Sequence, residues 1–138
     1  MIILTRRYRF AAAHVLAQPA FSARENVRIF GKCANPGGHG HDYEFEVSVA
    51  GPLDPETGQI IAPRTLDEIF EDTIVARFAH TMLNDVEPFD TLVPTAENIA
   101  AVSHSLLQEV VAHRSAARVV HVRVVETPRN YAEIGDAR

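Results

Sequence analysis

His39 and His41 stand two residues apart with only Gly40 between them. On an extended segment residues i and i+2 point to the same face. The two imidazoles can therefore approach one metal ion as a short-range bidentate clamp. The stretch that carries them, Cys33-Ala-Asn-Pro-Gly-Gly-His39-Gly-His41-Asp-Tyr43, holds the only cysteine, two of the seven histidines and three of the seven glycines in the chain. Asn35-Pro-Gly-Gly38 is turn chemistry, because Pro fixes φ and Gly permits φ > 0. Cys33 is thus expected on a loop that folds back toward the histidines. A loop thiol held near a metal is a candidate nucleophile or base rather than core filling. The alternative is a closed structural zinc site with Cys33 as fourth ligand. Lys32, the only lysine, adjoins Cys33.

The elements that must position these residues follow from periodicity. Ile2 to Ala12 alternates loosely and reads as a strand, with Leu4, Arg6, Tyr8 and Phe10 on one side and Arg7 and Arg9 on the other. His14 follows three alanines, whose small side chains leave room for a metal or a close neighbouring backbone. Taken alone, His14 reads as an ordinary histidine. Residues 15 to 32 show no period and read as loop. Asp42 to Ala50 is the clearest strand: Tyr43, Phe45, Val47 and Val49 share a face, and His39 and His41 share their parity. Gly51 to Gly58 is a turn region, and Gln59 to Ala62 reads as a short partner strand. Thr65 with Glu68 three residues later is the capping-box pattern, opening a helix with an apolar stripe of Leu66, Ile69, Phe70, Ile74 and Phe78. Thr95 is expected to cap a second helix with Ile99, Val102, Leu106 and Val110 inward, ending near Ser115. Val119 to Val125 is β-branched and reads as a strand ended by Glu126, with a short strand from Tyr131 to Ile134 after it. This order predicts one α+β domain over residues 1–138 with an antiparallel sheet.

Composition limits the function classes. With 46% hydrophobic and 22% charged residues, the chain is ordinary for a soluble globular protein. A net charge of −5 without a basic block argues against nucleic acid as a partner. No apolar run reaches membrane-spanning length, and the N-terminus lacks signal-peptide order. One cysteine makes no internal disulfide, which fits a reducing cytoplasm. His104, His113 and His121 read as ordinary surface or core histidines.

Several short motifs occur in order: Phe10-Ala-Ala-Ala-His14, Phe30-Gly-Lys-Cys33, His39-Gly-His41-Asp-Tyr43, Pro94-Thr95-Ala-Glu97-Asn98 and Val125-Glu126-Thr127. Together they resemble the 6-pyruvoyl-tetrahydropterin synthase and 6-carboxy-tetrahydropterin synthase family, over nearly the whole chain. The long gap from Cys33 to His39 looks more like the pyruvoyl synthases. The resemblance implies the T-fold, or tunnelling fold: a four-stranded antiparallel sheet with two helices on one face, assembled as a homohexamer, a dimer of trimers. It implies His14, His39 and His41 as ligands of a catalytic Zn2+ with an open fourth position. It implies a pterin triphosphate substrate, 7,8-dihydroneopterin triphosphate, with Cys33 as base and His80 as its catalytic partner. Glu126 is implied as the pterin anchor, accepting paired N–H bonds, with Thr95 and Glu97 near the same pocket. The reaction implied is triphosphate elimination, in tetrahydrobiopterin biosynthesis, or the related carboxy synthase reaction of deazapurine (queuosine) biosynthesis.

Two positions depart from the family pattern. The family's Asp-His pair is Ala79-His80 here, so the carboxylate that would orient His80 is missing. Its Asp-Phe after the hairpin is Ala62-Pro63. An orienting carboxylate fixes an imidazole tautomer, and its loss in a triad lowers rates by orders of magnitude. The alternative function is therefore an altered paralogue that binds zinc and a pterin-like ligand without efficient synthase activity.

Overall fold

Four antiparallel strands in the order β1-β2-β3-β4 form the sheet of the computed structural model, which describes residues 1–136. β1 (Ile3–His14) pairs β2 (His39–Ala50) along its whole length, from Ile3 opposite Ala50 to His14 opposite His39. β3 (Arg118–Thr127) pairs β2, and β4 (Asn130–Gly135) closes a tight hairpin onto β3. The sheet is longer at its functional end than periodicity implied. β1 runs on to His14 and β2 begins at His39, so His14 sits within its strand rather than after it and His39 within its strand rather than before it.

Alternation decides the two faces. Phe10, Tyr43, Phe45, Val47, Val49, Val122 and Val124 point to one side and are buried. Against them pack α2 (Pro63–Phe70), a π-helical turn (Glu71–Val75), the short α3 (Ala76–Phe78) and the long α4 (Ala96–Arg114). Leu66, Ile69, Phe70, Ile74 and Phe78 are all buried in this layer, as the helical spacing implied. Phe70 lies 4.0 Å from Tyr8 in a stacked pair, and Asp67 takes both the Arg6 guanidinium (2.7 and 3.0 Å) and the Tyr8 hydroxyl (2.8 Å). That cluster fastens α2 to the outer strand. The opposite sheet face is an ionic grid: Glu46 meets Arg7 and Arg123, and Glu133 meets Arg123 (3.0 Å) and His121 (2.9 Å).

Several local expectations are corrected. Residues 59–62 form no strand; Asp54 closes the preceding loop by accepting from Glu56 and Thr57, and Pro63 starts a helix before a strand can pair. That helix begins two residues before Thr65, because Pro suits the first helical position, where an N–H is unpaired anyway. Glu68 turns to Arg114 instead of back to Thr65. The inward face of α4 is Ile99, Ser103, Leu107 and Val111, with Val102, Leu106 and Val110 on its flank. The region read as loop contains α1 (Ala23–Phe30). None of its residues is buried, and its apolar face is only Ala23, Val27 and Phe30. Its legible sign was Ser22 three residues before Glu25; the Ser22 hydroxyl caps the Glu25 N–H.

Candidate metal centre

Three adjacent strand ends deliver the cluster. His14 and His39 are opposite one another at the last pair of the β1–β2 ladder, and His41 follows on the same face. Glu126 comes from β3, just past the last β2–β3 pair, Glu44 with Val125. Between Val125 and Thr127 the β3–β4 register slips, leaving Glu126 as the extra residue of a bulge. Bulges re-aim side chains in this way beside functional sites. One ligand atom from each of His14, His39, His41 and Glu126 lies within 4.8 Å of all the others.

Hydrogen bonding fixes which nitrogens face inward. His14 Nδ1 is 2.8 Å from the Pro94 carbonyl oxygen, which can only accept. Nδ1 therefore carries the proton, and Nε2 presents its lone pair to the cluster. Nε2 lies 2.9 Å from His39 Nε2 and 3.7 Å from Glu126 Oε1. Tyr43, buried beside it, places its hydroxyl 3.1 Å from the same Nδ1. His14 is fully buried, and burial lowers its pKa to about 4, helped by the two other imidazoles and opposed by the Pro94 carbonyl. The ring is thus neutral, as a ligand must be. Burial also lowers the pKa of His41, against the pull of the Glu126 charge. His41 Nε2 is buried without a hydrogen bond, although Glu126 Oε1 is 3.1 Å away. A buried polar atom left unpaired is expensive and rare. The donor set therefore fits a metal ion: three imidazoles and one carboxylate converge, and the orphaned His41 Nε2 lies among them.

The other expected residues are placed as follows. Cys33 lies half-buried on a short 3-10 turn (Gly31–Ala34) that follows α1, and it is not among the four converging groups. Burial first, and then the charge of Glu126, push its thiol pKa up. His80 lies past the end of α3 with φ 58° and donates its backbone N–H to the Ala11 carbonyl. It lines a cleft of about 480 Å³ together with Ala11 to Ala13 and His41. The three alanines admit this neighbouring backbone, since Ala13 also donates to the Thr81 carbonyl. Ala79 packs against the hydrophobic core and brings no charge to His80. Thr95 caps α4, accepting from the Asn98 N–H at 3.2 Å, and Glu97 is exposed on its first turn. Tyr43 and the Pro94 carbonyl went unread in the sequence. Tyr43 showed there only as an inward strand residue, and a backbone carbonyl leaves no signal at all.

Sheet, helices and imidazole cluster together define the class: a T-fold, an antiparallel sheet with helices on one face, with a candidate metal centre at the strand ends. The family model for 6-pyruvoyl tetrahydropterin synthase matches residues 3–137. A 6-pyruvoyl tetrahydrobiopterin synthase of Drosophila melanogaster is 38% identical, covering 92% of this chain and 75% of its own. The one of Homo sapiens is also 38% identical, covering 92% and 86%. The solved Caenorhabditis elegans 6-pyruvoyl tetrahydropterin synthase superposes with a TM-score of 0.89 at 33% identity, over 99% of this chain and 96% of that one. The chain belongs to the 6-pyruvoyl tetrahydropterin synthase family, a family of lyases. Among the described residues no helix is long and apolar enough to cross a membrane.

Proposed function

We propose that the protein is a zinc-dependent carbon–oxygen lyase converting 7,8-dihydroneopterin triphosphate to 6-pyruvoyl-tetrahydropterin. The observation that carries this reading is the convergence of His14, His39 and His41 at one point beside a carboxylate, with the His14 ring kept neutral by burial. These imidazoles would hold Zn2+ and leave a position for substrate oxygen. When bound, the ion supplies Lewis acidity to a substrate oxygen and, by its charge, favours the Cys33 thiolate. Cys33 takes the proton from carbon, and the triphosphate departs from the neighbouring carbon with the C–O bonding pair. Glu126 anchors the pterin by accepting two N–H bonds from its amino-pyrimidinone edge. Thr95 and Glu97 border that pocket, and His80 completes proton transfer. The names of the relatives favour the pyruvoyl product over the 6-carboxy one. The reading includes a cytoplasmic homohexamer, a dimer of trimers, for which the open outer edge of β4 supplies the physical motive.

Ala79 favours a second reading, a paralogue that binds zinc and a pterin without efficient turnover, since His80 lacks a carboxylate neighbour in sequence. One experiment separates the two. The zinc-loaded protein is incubated with 7,8-dihydroneopterin triphosphate while tripolyphosphate release is followed and the product is identified by mass. The enzyme reading expects release that Cys33→Ala abolishes with zinc retained. No release, with pterin still bound, leaves the paralogue. Metal analysis of His39→Ala and His41→Ala checks the site itself, and full zinc in both removes it.

A further inference from the structure

His14 is the ligand with the least side-chain support on its own strand. Ala11, Ala12 and Ala13 precede it, and the β1–β2 ladder ends at it. Two amide side chains supply what is missing. Asn84 Oδ1 accepts from the Val15 N–H at 2.8 Å, and Asn84 Nδ2 donates to the Val15 carbonyl at 2.9 Å. One side chain thus reproduces the paired bonds that a neighbouring strand would make. It keeps β1 extended past its last true partner.

The second amide acts through Pro94. Asn98 Nδ2 donates to the Val93 carbonyl at 2.8 Å, and the Asn98 N–H donates to Thr95 Oγ1 at 3.2 Å. Asn98 therefore holds the chain on both sides of Pro94. The Pro94 carbonyl it fixes is the acceptor for the His14 ring N–H. We propose that Asn84 and Asn98 are positioning residues of the metal centre: neither touches the imidazole, yet together they set the strand end and the ring orientation of His14. This rests on the reading of His14, His39 and His41 as metal ligands. Partners outside the ligand shell typically change metal affinity 10–100-fold. His14 itself is fully buried, so its ring N–H has the Pro94 carbonyl rather than solvent as its partner.

The test measures zinc affinity by chelator competition, and the absorption spectrum of the cobalt(II)-substituted protein, for Asn84→Ala and Asn98→Ala. Each is expected to bind zinc roughly 10–100-fold more weakly with an altered cobalt spectrum. Val111→Ala is the stability control; it opens the core about 20 Å further along α4 and should lower Tm while leaving affinity and spectrum alone. Asn84→Asp keeps the acceptor and loses the donor, so its affinity should fall between wild type and Asn84→Ala. Should an alanine variant not fold, Asn84→Asp and Asn98→Asp carry the same comparison. Wild-type affinity and spectrum in the Asn variants overturn the proposal, as does an equal loss in Val111→Ala. Wild type that binds no zinc overturns the metal reading beneath it.

Discussion

Gly38, immediately before His39, gives the sharpest test of how tightly the strand ends are packed. It has φ +75°, and an added Cβ would lie 2.7 Å from the Met82 terminal methyl and 3.3 Å from the His14 carbonyl oxygen. The positive φ alone opposes an L side chain by roughly 1–2 kcal/mol, partly offset by about 0.4–1 kcal/mol from a stiffer unfolded chain. Gly58, with φ +71° and nothing within 4 Å, isolates that backbone effect. Gly58→Ala is expected to lose about 1 kcal/mol. Gly38→Ala must also displace Met82, a flexible side chain, at about 1 kcal/mol for an off-rotamer shift. Its expected loss is therefore about 2 kcal/mol, read from urea unfolding at constant m-value. Because the crowded oxygen belongs to His14, Gly38→Ala should also weaken zinc binding, whereas Gly58→Ala should not. Adding Met82→Ala should recover much of the difference. Equal losses in the two glycine variants would refute the packing argument, and unchanged zinc affinity in Gly38→Ala would refute its link to the ligands.

Three further outcomes are expected. Ala79→Asp should raise turnover at least about tenfold by orienting the His80 ring; unchanged turnover would show that His80 is not limited by its missing neighbour. Glu126→Ala should abolish dihydroneopterin binding in equilibrium dialysis while zinc is retained; loss of zinc instead would make Glu126 a ligand. In chelator-stripped protein the depressed His14 pKa, about 4 against 6.5, means that the folded state binds fewer protons than the unfolded state within that window. Stability should fall by up to roughly 3 kcal/mol as pH drops through it and level off below, and equal slopes for wild type and His14→Gln in pH-dependent urea unfolding would count against this.

Much of the sheet was legible because its apolar residues alternate with charged ones, and the parity of Tyr43 and Phe45 carried His39 and His41 to the correct face. The long helices were legible from Leu66 to Phe78 and from the Thr95 cap. What stayed hidden was whatever acts through backbone. α1 spans only eight residues, and its short face of Ala23, Val27 and Phe30 is too brief a run to set a period against the loop around it. The bulge at Glu126 depends on a register slip between strands, not on residue type. Asn84 gave no sign of its role, since its two bonds reach a residue distant in sequence. His14 read as ordinary because its partners are a carbonyl and a tyrosine contributed from elsewhere in the fold.

The ionic grid on the uncovered sheet face has a consequence for whatever surrounds it. Arg7, Glu46, Arg123 and Glu133 link strand to strand across that face, and Arg123 also lies 4.7 Å over the Tyr131 ring. Dehydrating such charges is far costlier than dehydrating aliphatic side chains. A second apolar layer therefore has no foothold there. If copies of the chain join edge to edge with their helices outward, the grid becomes the lining of the enclosed bore. That bore must stay wet, a channel of ordered water and counter-ions rather than a second dry core, and its lining would respond to salt while the helix-covered side would not.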